Sequence, residues 1–216
     1  GFLMRPETAA PQVSATLPAA PAERVLFCAA TRAELDVLGL PPEAEARLGG
    51  VVAHGAVTGV GIPATLLAVP PLLARLRPCC VVVTGIAGAY AGSGFEVGNL
   101  VLGDSETFAD LGMELPDAEG FRPLWKYPFA EGWPGRFPLA VPQPLRALPG
   151  LRTGAGATVN ACTGTDATGA LRRRVSGADF ETMEGAAVAL ACRSAGVPVV
   201  QIRAVSNIAA RRDMRP

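Results

Sequence analysis

Four side chains of this sequence have the chemistry and the neighbours of an active site: Glu34, Glu184, Arg203 and Asn207. A carboxylate can orient hydroxyls, take up protons and stabilise developing positive charge; a carboxamide can both donate and accept at one end of a polar ligand. Glu184 opens an Ala-rich stretch, and Asn207 follows Ser206 where the apolar run 199–205 ends. A helix feeding a buried strand would bring the two groups to the carboxyl edge of a sheet, where open α/β folds bind ligands. Arg203 interrupts that run. Buried there, it needs a carboxylate or a ligand anion, and Glu184 is a candidate partner.

Glu34 follows the first apolar run and so belongs to the same edge of a parallel sheet. Thr31 ahead of it also makes it half of a capping box, a purely structural role. For Glu184 the bland alternative is a first-turn acid that complements the helix dipole. His54 is the only histidine, which argues against a His-based metal centre or a Ser-His triad and points to carboxylates as the catalytic groups.

The elements that must hold these groups alternate along the chain. Residues 24–30 read as a buried strand, 31–38 as a helix and 51–58 as a loosely alternating strand pair. Residues 63–76 suit a helix, with Pro70-Pro71 expected to break or kink it. A strand at 80–84 runs into Gly85-Ile86-Ala87-Gly88, read as a turn whose bare backbone a ligand can approach. Further strands are expected at 99–108 and 156–159 and a helix at 166–174. The segment 156–159 leads to Asn160 and Thr163, polar groups at a strand end or in an ordinary loop. Residues 110–150, rich in Pro and aromatics, read as an irregular excursion or flap. Strands alternating with helices predict an α/β fold of three layers, α-β-α, with a central mostly parallel or mixed twisted sheet flanked by helices.

Bulk properties narrow the function. The 216 residues make one domain, expected over 23–216, behind an Ala/Pro-rich flexible leader at 1–22. Ending nine residues after Asn207, the chain leads one to expect a closing helix beyond it. Lys plus Arg and Asp plus Glu balance at 19 each, so nothing favours nucleic acid or an anionic membrane as a partner. No apolar run is long enough to span a bilayer, and there is no signal-peptide core. The five cysteines lack the paired spacing of a zinc site and read as reduced residues of a cytoplasmic protein.

Three blocks in register resemble the nucleoside phosphorylase and nucleosidase superfamily. Val83-Thr-Gly-Ile-Ala-Gly88 resembles its Gly-rich ribose and nucleophile loop, Thr182-Met-Glu-Gly-Ala-Ala187 its Met-Glu-x-Ala ribose motif, and Arg203-Ala-Val-Ser-Asn207 its Arg-x-x-Ser-Asp/Asn base motif. The resemblance covers about 24–215 and implies a phosphorylase/hydrolase-like fold, no cofactor and no metal, a small nucleoside substrate, and a homodimer or homotetramer. Met183 would pack on the ribose, Glu184 would hold its 2′ and 3′ hydroxyls, and Glu34 would activate water. Ile86, Ala87, Gly88, Asn160, Thr163, Arg203 and Ser206 would complete the substrate site.

Two departures choose among subclasses. Asn207 stands where adenine-specific members have Asp, and a carboxamide fits a 6-oxopurine such as hypoxanthine. Ile86 replaces a common Ser, and Glu34 faces the nucleophile; both favour water over phosphate, against which Arg32 is the one nearby counter-signal. Gly-Ile-Ala-Gly-Ala-Tyr90, residues 108–114 and Arg212-Asp213 point to the members that release hypoxanthine on a route to menaquinone. Phe121, Trp125, Tyr127 and Phe129 could hold an aryl 5′ group or form a subunit contact. Alternatives are a methylthioadenosine/S-adenosylhomocysteine nucleosidase, a purine nucleoside phosphorylase and a nucleoside binder without turnover.

Overall fold

The computed structural model describes residues 23–210, so the expected leader and Arg212-Asp213 lie outside it. Strand β1 (Glu23–Ala29) leads into α1 (Arg32–Asp36), which begins with both halves of the capping box between Thr31 and Glu34. A hairpin of β2 (Glu45–Leu48) and β3 (Val51–Val57) follows; 51–58 is thus one strand, paired antiparallel to a segment the sequence did not flag. Helix α2 (Ile62–Leu76) is continuous through Pro70 and Pro71, contrary to the expected break. Both prolines are exposed, so the carbonyls they leave without an amide partner can be hydrated.

Strand β4 (Cys80–Tyr90) runs straight through the Gly-rich block, which is therefore strand and not turn. Its neighbours impose that form: β11 (Val199–Ala209) pairs with it in parallel from Val81 to Tyr90. The excursion after β5 (Leu100–Phe108) holds a small hairpin, β6 (Gly112–Glu114) with β7 (Phe121–Pro123), then β8 (Phe137–Pro138) and α3 (Gln143–Arg146). Next come β9 (Leu151–Thr158), α4 (Asp166–Ser176), β10 (Phe180–Thr182), α5 (Gly185–Ala195) and β11.

The main sheet follows the order β10-β9-β5-β11-β4-β1-β3-β2, and β10 also pairs with β4. That extra pairing curls β4, β11, β5, β9 and β10 into a closed ring, with β1, β3 and β2 extending from it. The sheet is mixed: β1, β3, β4 and β11 are mutually parallel, while β5, β9 and β10 run the other way. On β11 the register slips by one residue between Val205 and Asn207, a bulge at Ser206.

Leu26, Val69, Leu73, Val81 and Val188 form the largest apolar cluster, where α2 and α5 pack against the sheet. Each such side chain contributes about 1.5–3 kcal/mol by leaving water. Gly185, Ala186, Ala187 and Ala189 are all buried on α5, and their small size lets the helix lie close to the strands beneath. That closeness sets the depth at which Glu184, capping α5, meets the sheet.

Candidate active site

A cleft of about 200 Å³ lies where α1, β4, β10, the start of α5 and β11 converge. Of the residues singled out in the sequence, Glu34, Ile86, Ala87, Gly88, Met183, Glu184, Ser206 and Asn207 line it. A larger hollow of about 610 Å³ borders Arg173, Arg174, Asp179 and Ala210, the last described residue. It brings together none of these groups, which makes the smaller cleft the candidate site.

Glu34 is half-buried and fixed at both oxygens. Oε2 accepts from the backbone N–H (2.9 Å) and hydroxyl (3.0 Å) of Thr31, and Oε1 accepts from the backbone N–H of Ile86 (3.1 Å). The capping box therefore aims the carboxylate at the middle of β4. Gly85 makes the approach feasible, since a Cβ there would lie 2.5 Å from Glu34 Oε1 and 2.9 Å from Arg203 Nη1. Its φ of +137° is also one that side-chain-bearing residues rarely adopt.

Glu184 is 6% exposed. Oε1 accepts from the N–H of Gly61 (3.0 Å), and Oε2 lies 3.7 Å from Arg203 Nη1. The buried arginine has found its carboxylate. Arg203 also donates to Gln201 Oε1 through Nε and Nη2 (both 3.3 Å) and to the Thr84 carbonyl (3.3 Å). It sits beneath the cleft, orienting Glu184, and does not line it.

Beneath Arg203 is a carboxylate the sequence reading missed. Glu106 is fully buried; its oxygens accept from Gln201 Nε2 (2.8 Å), Thr158 (2.9 Å) and Thr182 (3.5 Å). Burial pushes its carboxyl up to about 7, against the opposing pull of Gln201, Arg203 and Thr158. The same two threonine hydroxyls accept the first amides of α5, Thr182 from Gly185 (3.1 Å) and Thr158 from Ala186 (2.7 Å). A second overlooked acid, Glu181, lines the cleft beside Asn207. Neither had a signal like that of Arg203, since Glu106 lies in the polar stretch Asp104-Ser-Glu-Thr107 and Glu181 in a strand of three residues.

Asn160 and Thr163 stand just outside the cleft. Asn160 is turned to Asp110, which takes its backbone N–H (2.7 Å) and its side-chain amide (3.0 Å). Thr163 is buried and bonded to Glu181. Arg32 points away as well, paired with Asp36 at 3.0 Å on the exposed side of α1. Phe121, Trp125, Tyr127 and Phe129 do not reach the lining; Tyr127 and Phe129 stack on each other at 5.2 Å. Cys162 and Met183 meet in the cleft, sulfur to sulfur at 3.4 Å. Among the described residues no cluster of His, Cys, Asp and Glu could hold a metal ion, and no helix is long and apolar enough to cross a membrane.

Comparison with known proteins matches this architecture. Residues 44–216 fit the family model of the phosphorylase superfamily. A futalosine hydrolase of Acidothermus cellulolyticus is 42% identical over 165 residues, covering 74% of this chain but 66% of that protein's own length. One from Thermus thermophilus is 35% identical over 197 residues, covering 87% of this chain and 85% of that protein. Among solved structures, the S-adenosylhomocysteine nucleosidase of Streptococcus pyogenes superimposes with a TM-score of 0.71 at 23% identity, covering 89% of this chain and 86% of that one, and so shares the fold. The chain belongs to the phosphorylase superfamily, and within it to the family of the futalosine hydrolases.

Proposed function

We propose that the chain hydrolyses the purine N-glycosidic bond of futalosine, releasing hypoxanthine and dehypoxanthine futalosine, a step of menaquinone biosynthesis. The observation that carries this reading is the placement of two anchored carboxylates, Glu34 and Glu184, in one cleft with the carboxamide of Asn207. The relatives named futalosine hydrolase support the choice of substrate.

The bond from ribose C1′ to the purine nitrogen breaks with its electron pair leaving on the base, so the ribose becomes an oxocarbenium-like cation. Glu184 accepts from the 2′ and 3′ hydroxyls, and its fixed charge favours that cation over the neutral substrate. Met183 packs on the ribose. Water adds to C1′ and passes its proton to Glu34, whose two oxygens are already oriented by Thr31 and Ile86. Asn207 donates to N7 or O6 and stabilises the base as it departs as an anion; the base then takes up a proton from solvent and Glu34 releases the one it gained, so that neutral hypoxanthine leaves and the carboxylate is restored. With Arg32 turned to Asp36, no Lys, Arg or His among the described residues lines the cleft to compensate for phosphate beside Glu34.

The same reading includes a single nucleosidase domain from residue 23 onward and a homodimer or homotetramer. It places the enzyme in the cytoplasm, in keeping with five free cysteines. The test is hypoxanthine release from futalosine in phosphate-free buffer, with methylthioadenosine and inosine alongside. Release from futalosine alone is expected. A requirement for added phosphate would make the enzyme a phosphorylase, and cleavage of methylthioadenosine alone would make it an adenine nucleosidase.

A further inference from the structure

Glu181 is a buried carboxylate left idle by this mechanism. It is 4% exposed yet lines the cleft. Strands β10 and β11 flank β4 from opposite sides, and both Glu181 and Asn207 are in register with Gly88. A Cβ on Gly88 would meet the carboxamide nitrogen of Asn207 at 3.1 Å and Cγ of Glu181 at 3.5 Å. The two side chains therefore share one patch of cleft floor, which only a glycine leaves open.

Their remaining hydrogen-bonding capacity is defined by their surroundings. Glu181 accepts from the N–H (2.7 Å) and hydroxyl (2.6 Å) of Thr163, with Arg172 Nη1 at 3.7 Å. So held, its oxygens keep further lone pairs with which to accept from a ligand. Asn207 donates to the Ile208 carbonyl (3.1 Å), and its Oδ1 accepts from Ser206 (2.9 Å). Its second amide hydrogen is left for a ligand. A donor next to an acceptor complements O6 and N1–H, the edge of a 6-oxopurine. A 6-aminopurine presents the reverse pair, an amino donor and the N1 lone pair.

We propose that Glu181 reads the N1–H of the base, so that the Asn207–Glu181 pair selects 6-oxopurines over 6-aminopurines. The assignment rests on the nucleosidase reading above and adds its specificity. A buried acceptor facing a lone pair is left unpaired, and sites built on such hydrogen bonds discriminate by about 10⁴-fold or more.

The test uses free bases on the whole chain, because their binding requires no turnover. In titration calorimetry hypoxanthine should bind at least about tenfold tighter than either adenine or 1-methylhypoxanthine, which lacks the N1 proton. Equal affinity for hypoxanthine and 1-methylhypoxanthine overturns the assignment without recourse to any variant, and so does absence of hypoxanthine binding at millimolar concentration. In Glu181→Gln the amide can donate to adenine N1, so the hypoxanthine-to-adenine preference should fall about tenfold or more. An equal loss for both bases would mean that Glu181 only supports Thr163, and would also overturn it. Selective hypoxanthine binding by a chain that cleaves no nucleoside would refute the hydrolase reading and leave the role of Glu181 standing.

Discussion

Glu184 and Glu106 are both buried carboxylates connected to Arg203, yet their surroundings fit them for opposite work. Glu184 opens onto the cleft and keeps one oxygen on a backbone amide and the other near a guanidinium. Glu106 has no access to the cleft, and Gln201 stands between it and the arginine. Burial pushes the Glu106 carboxyl up to about 7, so its charge is costly where it sits. A carboxylate that must meet a developing cation needs an opening and a nearby counter-charge. One that organises a helix start needs hydroxyls and enclosure.

That contrast is open to experiment. Its largest expected consequence is for Glu184→Gln, which should lower kcat on futalosine by about a thousandfold or more while the fold persists; near-normal turnover would remove Glu184 from the mechanism. Glu34→Gln should cost about a hundredfold or more in kcat, with KM little changed, because the amide still accepts from Ile86 N–H but no longer takes a proton. A steep rise in KM with kcat preserved would leave Glu34 as a helix cap. Asn207→Asp should move the kcat/KM preference toward adenine nucleosides by about tenfold; unchanged selectivity in a competition assay would dissociate Asn207 from the base.

The smallest effect on turnover belongs to Glu106→Gln, within about tenfold, and its signature is in stability. The folded carboxyl titrates near 7, above the 4.5 of an unperturbed glutamate, so the folded state holds the proton more tightly than the unfolded chain. Stability supplied by this group is complete below about pH 4.5, falls as pH rises toward 7 and is level thereafter, a span on the order of 3 kcal/mol. Thermal melts of the wild type should thus lose ground to Glu106→Gln between pH 5 and pH 7. Parallel pH profiles for the two proteins, or a kcat loss as deep as that of Glu184→Gln, would erase the distinction.

Much of the scaffold is legible in the sequence because it is local. The capping box at Thr31 and Glu34, the small-residue face of α5 and the apolar run of β11 each announce themselves within a few residues. What escapes is set by distant partners. Gly85-Ile86-Ala87-Gly88 has turn composition yet is strand, because β11 pairs with it and β10 closes the ring over Gly88. Strand β10 has three residues, too few for a periodic signal. In the site, Glu34, Glu184, Arg203 and Asn207 come together as their types and positions suggest. Glu106 and Glu181 do not stand out, because whether a strand acid faces a neighbour's hydroxyl or solvent depends on pairings the sequence does not spell out. Asn160 shows the converse: a carboxamide at a strand end, in reach of the cleft, is taken by Asp110 instead.

The slip at Ser206 has an evolutionary consequence. Between Arg203 and Asn207 the strand advances only from Gly85 to Gly88 along its neighbour, so the two side chains fall on opposite faces, one sunk beneath Glu184 and one in the cleft. The bulge here matters more than the identity of the residue in it. Pairing all four residues regularly would return Asn207 to the face of Arg203 and out of the cleft, whereas losing the codon for Ser206 would leave the carboxamide three positions past Arg203, still opposite Gly88. Residue 206 is therefore spare length: a lineage of this fold can shed it and keep the alternation, but cannot iron the strand flat around it without taking the carboxamide out of the cleft.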